Sequence, residues 1–160
     1  MGSGKTTIGA QLARKLKTDF IDTDQFIVKK YGKTIVDIFA RDGEDAFREM
    51  ERDALQEIIQ LPDAVIATGG GMPCFFDNMA VMNKAGKTVY LKLSPAAIAS
   101  RLATAREKRP LLSDKSEDEI LKYISETLNY REKWYAKANF MVDALNLNAE
   151  NLLNIILYKP

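Results

Sequence analysis

The chain has 160 residues with 23 basic and 22 acidic side chains, which gives a formal net charge of +1. This length fits one domain with a sizeable core, and the balanced charge gives no general attraction to nucleic acid or to an anionic membrane. No apolar run reaches the roughly 18 residues that a transmembrane helix needs. The chain contains no histidine, so any catalysis must use carboxylates, lysine, arginine, hydroxyl groups, backbone amides or a metal bound through oxygen.

Cys74 is the only cysteine, so no intrachain disulfide can form, and a reducing compartment suits such a sequence. We interpret Cys74 as a small residue near the core, following a turn, rather than as a nucleophile. No secretory signal sequence is recognisable. We therefore expect a cytoplasmic protein without nucleic acid or membrane partners, and we expect it to be a monomer.

Residues 2–7 read Gly-Ser-Gly-Lys-Thr-Thr, which is the second half of a phosphate-binding P-loop. In such a loop backbone N–H groups surround the phosphates of a nucleotide, the lysine reaches the β- and γ-phosphates, and the following hydroxyl binds Mg²⁺. A helix predicted at 5–17 points its positive end at the same anion. A flexible cloning tag is the alternative, but Ile8, Leu12 and Leu16 continue as the apolar face of a helix.

The first glycine of the complete P-loop pattern, and the strand that precedes it, are absent before Gly2. Either the sequence starts at an internal methionine of a longer protein, which we favour, or the protein has lost its first strand. A missing central strand would expose apolar faces on its neighbours and cost several kcal/mol of folding free energy. We therefore expect residues 1–160 alone to be a poor enzyme.

Downstream of the P-loop, strands alternate with helices. The first part of the chain predicts a strand at 19–22 and helices at 24–31, 34–40 and 43 to about 60. The second part predicts strands at 64–68, 88–93 and 140–145, and helices at 77–85, 95–105, 117–137 and 148–157. This alternation indicates a single α/β domain, a three-layer sandwich with helices on both faces of a parallel sheet. Functional groups are then expected at the carboxyl ends of the strands, beside the P-loop.

Asp22 and Asp24 stand at the end of the first predicted strand. One carboxylate there can hold Mg²⁺, usually through water, and the other can orient a substrate hydroxyl and accept its proton during phosphoryl transfer. The structural alternative is a helix N-cap followed by an acidic first turn. A P-loop in the same sheet favours the functional interpretation.

Gly69, Gly70 and Gly71 follow the apolar strand predicted at 64–68. A tight turn needs only one or two glycines, whereas three in a row at a strand end let a ligand lie against bare backbone. We therefore interpret these glycines as part of a binding site.

Arg48 and Arg131 lie on two predicted helices. Each alone is typical of a solvated or salt-bridged helix surface. Because arginine binds carboxylate or phosphate groups bidentately, a small acidic substrate would give both side chains a role.

Residues 106–115 lack apolar periodicity and carry Arg106 and Arg109. A basic loop opposite a P-loop is typical of a lid that closes over phosphates, expels water and adds positive charge to the transferred group. A solvated basic loop is the alternative, but it does not explain Pro110 and the paired leucines after Arg109. We therefore predict a lid at about 106–115.

Together these motifs resemble those of the shikimate kinase family, within the nucleoside-monophosphate-kinase-like P-loop proteins. The resemblance covers essentially the whole chain and rests on this ordered set: the P-loop half at 2–6, Asp-Thr-Asp at 22–24, Ile-Phe-Ala-Arg-Asp-Gly-Glu at 38–44 before Phe47 and Arg48, the glycines at 69–71, Arg-Pro-Leu-Leu at 109–112, and Arg131 with Tyr135. The resemblance implies a P-loop NTPase fold with a five-stranded sheet, whose first, central strand is absent from this chain.

The resemblance implies ATP-dependent phosphorylation of the shikimate 3-hydroxyl, giving ADP and shikimate 3-phosphate for aromatic amino-acid synthesis. The implied ATP-binding residues are Gly2, Ser3, Gly4, Lys5, Thr6, Thr7 and Arg109, and the implied Mg²⁺ ligands are Thr6 and Asp22. The resemblance also implies an acceptor-binding helical region at about 24–60. The implied shikimate-binding residues, inside and outside that region, are Asp24, Arg48, Gly69, Gly70, Gly71 and Arg131. The implied catalytic residues are Asp24 as the candidate base, Lys5 and Arg109, and a second nucleotide-contacting arginine is Arg101 or Arg106.

Two alternatives stay open at this point. The first is a P-loop kinase for another small molecule, such as gluconate or a nucleoside monophosphate, although two arginines and three glycines suit a small acid better. The second is a nucleotide-binding module that has lost catalysis. The incomplete P-loop favours this module, whereas Asp24, Arg48 and Arg131 oppose it because they serve a second substrate.

Overall fold

In the computed structural model, residues 2–104 and 116–158 are described. The helices are α1 (Lys5–Leu16), α2 (Thr23–Tyr31), α3 (Ile35–Arg41), α4 (Gly43–Ile58), α5 (Asn78–Ala85), α6 (Pro95–Thr104), α7 (Glu117–Tyr135) and α8 (Ala149–Tyr158). The strands are β1 (Asp19–Asp22), β2 (Ala64–Ala67), β3 (Val89–Lys92) and β4 (Phe140–Asp143), and a 3₁₀ helix spans Met72–Cys74.

The strands run in two parallel pairs. β1 pairs with β2, with Asp22 opposite Ala67, and β3 pairs with β4, with Val89 opposite Phe140. Within the described ranges the pairs form two separate two-stranded sheets. The prediction of an α/β fold with parallel strands is therefore confirmed, whereas the described residues do not form one continuous sheet.

Strand β2 is less buried than its sequence predicts. A continuous apolar run is typical of a parallel strand covered on both faces, yet Ile66 is 37% exposed. Among the described residues, β2 hydrogen-bonds to β1 along one edge only. Its other edge and Ile66 therefore lack the cover that a longer sheet provides.

Three apolar clusters hold the helices in place. One joins α1 to β4 and α8 through Ile8, Leu12, Val142, Ala149 and Leu152. Another packs α6 against α7 through Leu93, Ile98, Leu102, Ile120, Ile124 and Ala144. The third fastens α2 and α3 to α4 through Ile27, Ile38, Phe47 and Ala54. These clusters fix the helices that carry the polar residues singled out above.

Helix α7 begins where its sequence predicts. The Ser116 hydroxyl accepts a hydrogen bond from the Glu119 N–H, and the Glu119 carboxylate accepts one from the Ser116 N–H. This reciprocal pair is a capping box. None of the helices in the described ranges combines the length and the apolar character that a membrane crossing requires.

Replacing Ile124 with alanine tests the packing of α7 on α6. Ile124 is 0% exposed, so we expect the free energy of unfolding to fall by about 2–5 kcal/mol, measured by urea denaturation. Leu121→Ala is the matched control, because Leu121 lies on the same helix and is 38% exposed. Its loss should be much smaller, and equal losses at the two positions would contradict the packing assigned to α7.

Candidate active site

Glycines at two positions give the start of the chain the shape of an anion-binding loop. Gly2 has φ 63° and Gly4 has φ 84°, values that residues with a side chain rarely adopt. The loop leads directly into α1, which has no side-chain cap and no acidic residue in its first turn. No carboxylate of that turn competes for the first N–H groups of the helix, and an incoming phosphate can bind them.

The Asp22 carboxylate serves two sets of neighbours. Its Oδ1 accepts hydrogen bonds from the backbone N–H groups of Asp24 at 3.1 Å and Gln25 at 3.4 Å, which caps α2. Its Oδ2 accepts a hydrogen bond from the Thr6 hydroxyl at 3.1 Å and lies 3.9 Å from Lys5 Nζ. The two interpretations of Asp22, a helix cap and a residue of the nucleotide site, are therefore compatible.

The oxygen atoms of Thr6 and Asp22 fit a magnesium ion. Mg²⁺ prefers oxygen ligands, few of them from carboxylates, and keeps several waters. Thr6 supplies one hydroxyl and Asp22 one buried carboxylate, 3.1 Å apart. Within the described ranges, no group of three or more His, Cys, Asp or Glu side chains could hold a metal. The donors present therefore suit an ion that is coordinated largely by phosphate and water.

The loop after β2 closes on the start of α2. The buried Thr23 hydroxyl accepts a hydrogen bond from the Gly69 N–H at 2.9 Å. A Cβ atom at Gly69 would lie 2.7 Å from Asp24 Oδ1 and 2.9 Å from Glu51 Oε1, closer than atomic contact allows. Glycine at this position therefore lets two carboxylates approach the loop. The role of Thr23 was missed by the sequence reasoning, although it stands between the two predicted acids.

Asp24 lies where charges from both sides of the site act on it. Burial raises the pKa of Asp24 above its ordinary value of 3.8, the charge of Lys5 lowers it, and the charge of Asp22 raises it. Arg48 also lowers this pKa, by a smaller amount. A general base works best when its pKa approaches the working pH, and the net upward shift is in that direction.

Arg48 is buried beside the glycine loop rather than solvated on its helix. Its Nη1 donates to Glu51 Oε2 at 2.6 Å, and its Nη2 donates to Glu44 Oε1 at 2.7 Å. Its Cζ lies 4.2 Å from the ring centre of Phe75, a stacked arrangement that stabilises a cation. A Cβ atom at Gly71 would lie 2.4 Å from Arg48 Nη1, so only a glycine lets the backbone approach this guanidinium.

Glu51 is a residue of the site to which the sequence reasoning gave no role. It is 1% exposed. Burial raises the pKa of Glu51, while the hydrogen bond and charge of Arg48 and the charge of Arg131 lower it, and Asp24 raises it further. Glu51 therefore lies among both predicted arginines and the candidate base. The signal that could have found it is its spacing, because it follows Phe47 by one turn on the buried face of α4.

Helix α7 brings Arg131 to the same loop. The Tyr135 hydroxyl, one turn further along α7, donates to the Gly70 carbonyl oxygen at 2.6 Å. Burial raises the pKa values of Glu51 and Cys74, and the positive charge of Arg131 lowers both. The charges of Arg48 and Arg131, which lie on different helices, thus both act on Glu51 and Cys74 beside the glycine loop. The net rise in the pKa of the buried Cys74 thiol agrees with a structural cysteine.

Arg101 contacts the P-loop backbone instead of pointing into solvent. Its Nη1 donates to the Ser3 carbonyl oxygen at 3.1 Å, and its Nη2 donates to the Leu145 carbonyl oxygen at 3.2 Å. Arg101 therefore braces the loop that was predicted to bind nucleotide. The predicted lid at 106–115, with Arg106 and Arg109, lies outside the described residues.

The predicted residues thus form two adjoining groups. Lys5, Thr6 and Asp22 meet at the P-loop, while Arg48, Arg131 and residues 69–71 meet beside α4 and α7. Asp24 lies between the two groups. The exposed Thr7 in the first turn of α1 belongs to the first group by sequence alone.

Known proteins are similar to this chain in both sequence and structure. The chain is 46% identical over 144 residues to the shikimate kinase of Phocaeicola vulgatus, covering 90% of this chain and 82% of that protein. It is 49% identical over 158 residues to the shikimate kinase of Azobacteroides pseudotrichonymphae, covering 96% and 93%.

The solved structures that resemble this chain are also shikimate kinases. The crystal structure of shikimate kinase from Bacteroides thetaiotaomicron superposes with a TM-score of 0.92 at 40% identity, covering 98% of this chain and 93% of that one. Shikimate kinase from Acinetobacter baumannii in complex with shikimate superposes with a TM-score of 0.83 at 33% identity, covering 98% and 88%. A family model described as shikimate kinase matches residues 1–158. The chain therefore belongs to the shikimate kinase family.

Proposed function

We propose that the chain transfers the γ-phosphoryl group of ATP to the 3-hydroxyl of shikimate at the site formed by these two groups of residues. The observation that supports this most strongly is the placement of Asp24. Its carboxylate lies against the Gly69 backbone, and the charges of Lys5 and Arg48 both act on it. A candidate base is thus held between a phosphate-binding loop and a pair of arginines.

On the nucleotide side, residues 2–7 would bind the phosphates of ATP. The uncapped N–H groups of α1 and the Lys5 ammonium supply hydrogen bonds and positive charge. Thr6 and Asp22 would hold Mg²⁺, which neutralises phosphate charge when it is bound. Arg101 keeps the loop in shape through the Ser3 carbonyl oxygen.

On the acceptor side, Arg48 and Arg131 would bind the carboxylate of shikimate. Two guanidinium groups suit a small acid better than a neutral sugar, because arginine pairs with carboxylates through parallel hydrogen bonds. Residues 69–71 would lie along the ring, and a Cβ atom at Gly69 or Gly71 would collide with the Asp24, Glu51 or Arg48 side chains beside the site. Helices α2 to α4 would form the acceptor-binding region, with Asp24 turned toward the hydroxyl groups.

The reaction would proceed by in-line displacement. The 3-hydroxyl oxygen of shikimate attacks the γ-phosphorus, the bond from that phosphorus to the bridging oxygen breaks, and ADP leaves. Asp24 accepts the proton of the hydroxyl. Lys5 places a positive charge beside the transferred group. Such catalysis depends on position and charge more than on covalent help, and a chain without histidine can supply both.

We also propose that this reaction takes place in the cytoplasm with ATP and shikimate as small-molecule partners. The buried, unpaired Cys74 supports a reducing compartment. The monomeric state stays a prediction of the sequence.

Asp24→Asn tests the base directly. An amide cannot accept the hydroxyl proton, so kcat for ADP release with shikimate should fall by about 100-fold or more, while the KM for ATP changes little. Asp19→Asn is the matched control, because Asp19 is an exposed aspartate at the opposite, amino end of β1. A folded Asp24→Asn enzyme with the wild-type kcat would exclude Asp24 as the base.

The pH dependence of the wild-type enzyme gives a second readout of the same residue. The rate should fall as the pH drops through the pKa of Asp24, because the protonated carboxyl cannot accept a proton. Since burial raises that pKa above 3.8, the loss of rate should occur at a higher pH than for a solvated aspartate. The same acid limb in Asp24→Asn would assign it to another group.

Arg48→Lys tests the acceptor side. Lysine keeps a positive charge beside the buried Glu51 but loses the planar fork, so shikimate affinity in calorimetry without nucleotide should fall by about ten-fold or more. Arg52→Lys is the matched control, because Arg52 lies on the same helix with a side chain that is 47% exposed. An unchanged affinity in a folded Arg48→Lys protein would remove Arg48 from the carboxylate site.

A further inference from the structure

We propose that Tyr135 is a positioning residue for Arg131: its hydroxyl ties helix α7 to the glycine loop and so sets where the Arg131 guanidinium meets the acceptor. This inference rests on the proposed function, because it assumes that Arg131 binds the substrate carboxylate. It adds to that function a residue that acts through Arg131.

The first support is the contact itself. Tyr135 Oη donates to the Gly70 carbonyl oxygen at 2.6 Å, across 65 positions of sequence, and this is a short hydrogen bond for two neutral oxygens. Arg131 and Tyr135 are four residues apart on α7, so their side chains lie on the same face of the helix. A hydrogen bond that fixes Tyr135 on the loop therefore also fixes the position of Arg131 relative to that loop.

The second support is the environment of the phenol group. Burial raises the pKa of Tyr135, whereas the charge of Arg131 and a hydrogen bond from it lower that pKa. The hydroxyl therefore remains a donor at neutral pH, and its oxygen can accept from the guanidinium. The hydroxyl can therefore keep its bond to the Gly70 carbonyl oxygen beside the positive charge of Arg131.

A second set of contacts anchors α7 to strand β3. The Glu132 carboxylate accepts hydrogen bonds from Tyr90 Oη at 2.9 Å and from Lys92 Nζ at 2.7 Å, both on β3. The ring of Tyr90 also lies 4.9 Å from the ring of Tyr135, centre to centre. Helix α7 is thus anchored to β3 by Glu132 and to the glycine loop by Tyr135, two residues that are one turn apart on the helix.

The ring and the hydroxyl of Tyr135 have separable tasks. The ring packs on Tyr90, and phenylalanine keeps that contact. The hydroxyl alone reaches Gly70. Tyr135→Phe therefore removes the tie to the loop and leaves the packing of α7 in place, which makes it a test of position rather than of folding.

The experiment measures shikimate affinity by calorimetry and the kinetic constants for Tyr135→Phe. We expect the Kd and KM for shikimate to rise by about five-fold, since one hydrogen bond is lost, with kcat and the KM for ATP close to wild type. Tyr130→Phe is the matched control, because Tyr130 is on the same helix, 58% exposed, and packs on Trp134. It should leave every constant unchanged.

Arg131→Ala and the double variant decide how Tyr135 acts. If Tyr135 works through Arg131, Tyr135→Phe should cause no further loss of shikimate affinity in the Arg131→Ala background. The same loss in both backgrounds, or no loss from Tyr135→Phe alone, would overturn the positioning role and leave the role of Arg131 intact. An Arg131→Ala protein with wild-type shikimate affinity would overturn both.

Discussion

The proposed acceptor half of the site depends on the ion pair between Arg48 and Glu51. Both side chains are closed off from water, and a buried charge is stable only when a partner of opposite sign satisfies it. The 2.6 Å contact therefore fixes the guanidinium before any ligand arrives. The pair can lie against the loop because a Cβ atom at Gly69 would approach Glu51 and one at Gly71 would collide with Arg48. The buried ion pair therefore requires glycine in this loop, as the proposed ligand does.

The parallel pairing of β1 with β2 joins this half to the nucleotide half. Because Asp22 is opposite Ala67 in the register, the residues after both strands emerge side by side. The hydrogen bond from Gly69 to Thr23 closes the gap between them. Asp22 then contacts Thr6 of the P-loop, while Asp24 lies against the Gly69 backbone. One short strand end would therefore connect the proposed phosphate-binding group with the proposed base, as expected for the carboxyl edge of a parallel sheet.

The parts of the site that are local in sequence could be predicted, and those made by distant partners could not. The meeting of the P-loop with Asp22 follows from a motif and a strand end. The burial of Arg48 could not be predicted from α4 alone, because Phe75 comes from a different part of the chain. Glu51 is a different case, because its spacing from Phe47 on α4 is a local signal of burial that the sequence interpretation did not use. For the strands, residue type alone does not predict burial. Isoleucine at position 66 is expected to be buried, but its exposure depends on which strands lie beside it in the sheet.

The most direct test of this account is a crystal structure of the protein with shikimate and ADP. The carboxylate of shikimate should lie within about 2.7–3.2 Å of both Arg48 and Arg131, with a ring hydroxyl at the same range from Asp24. The pair between Arg48 and Glu51 should keep the geometry described here, because it is formed in advance. A shikimate carboxylate turned away from both arginines, or an Arg48 that leaves Glu51 to reach the ligand, would contradict it.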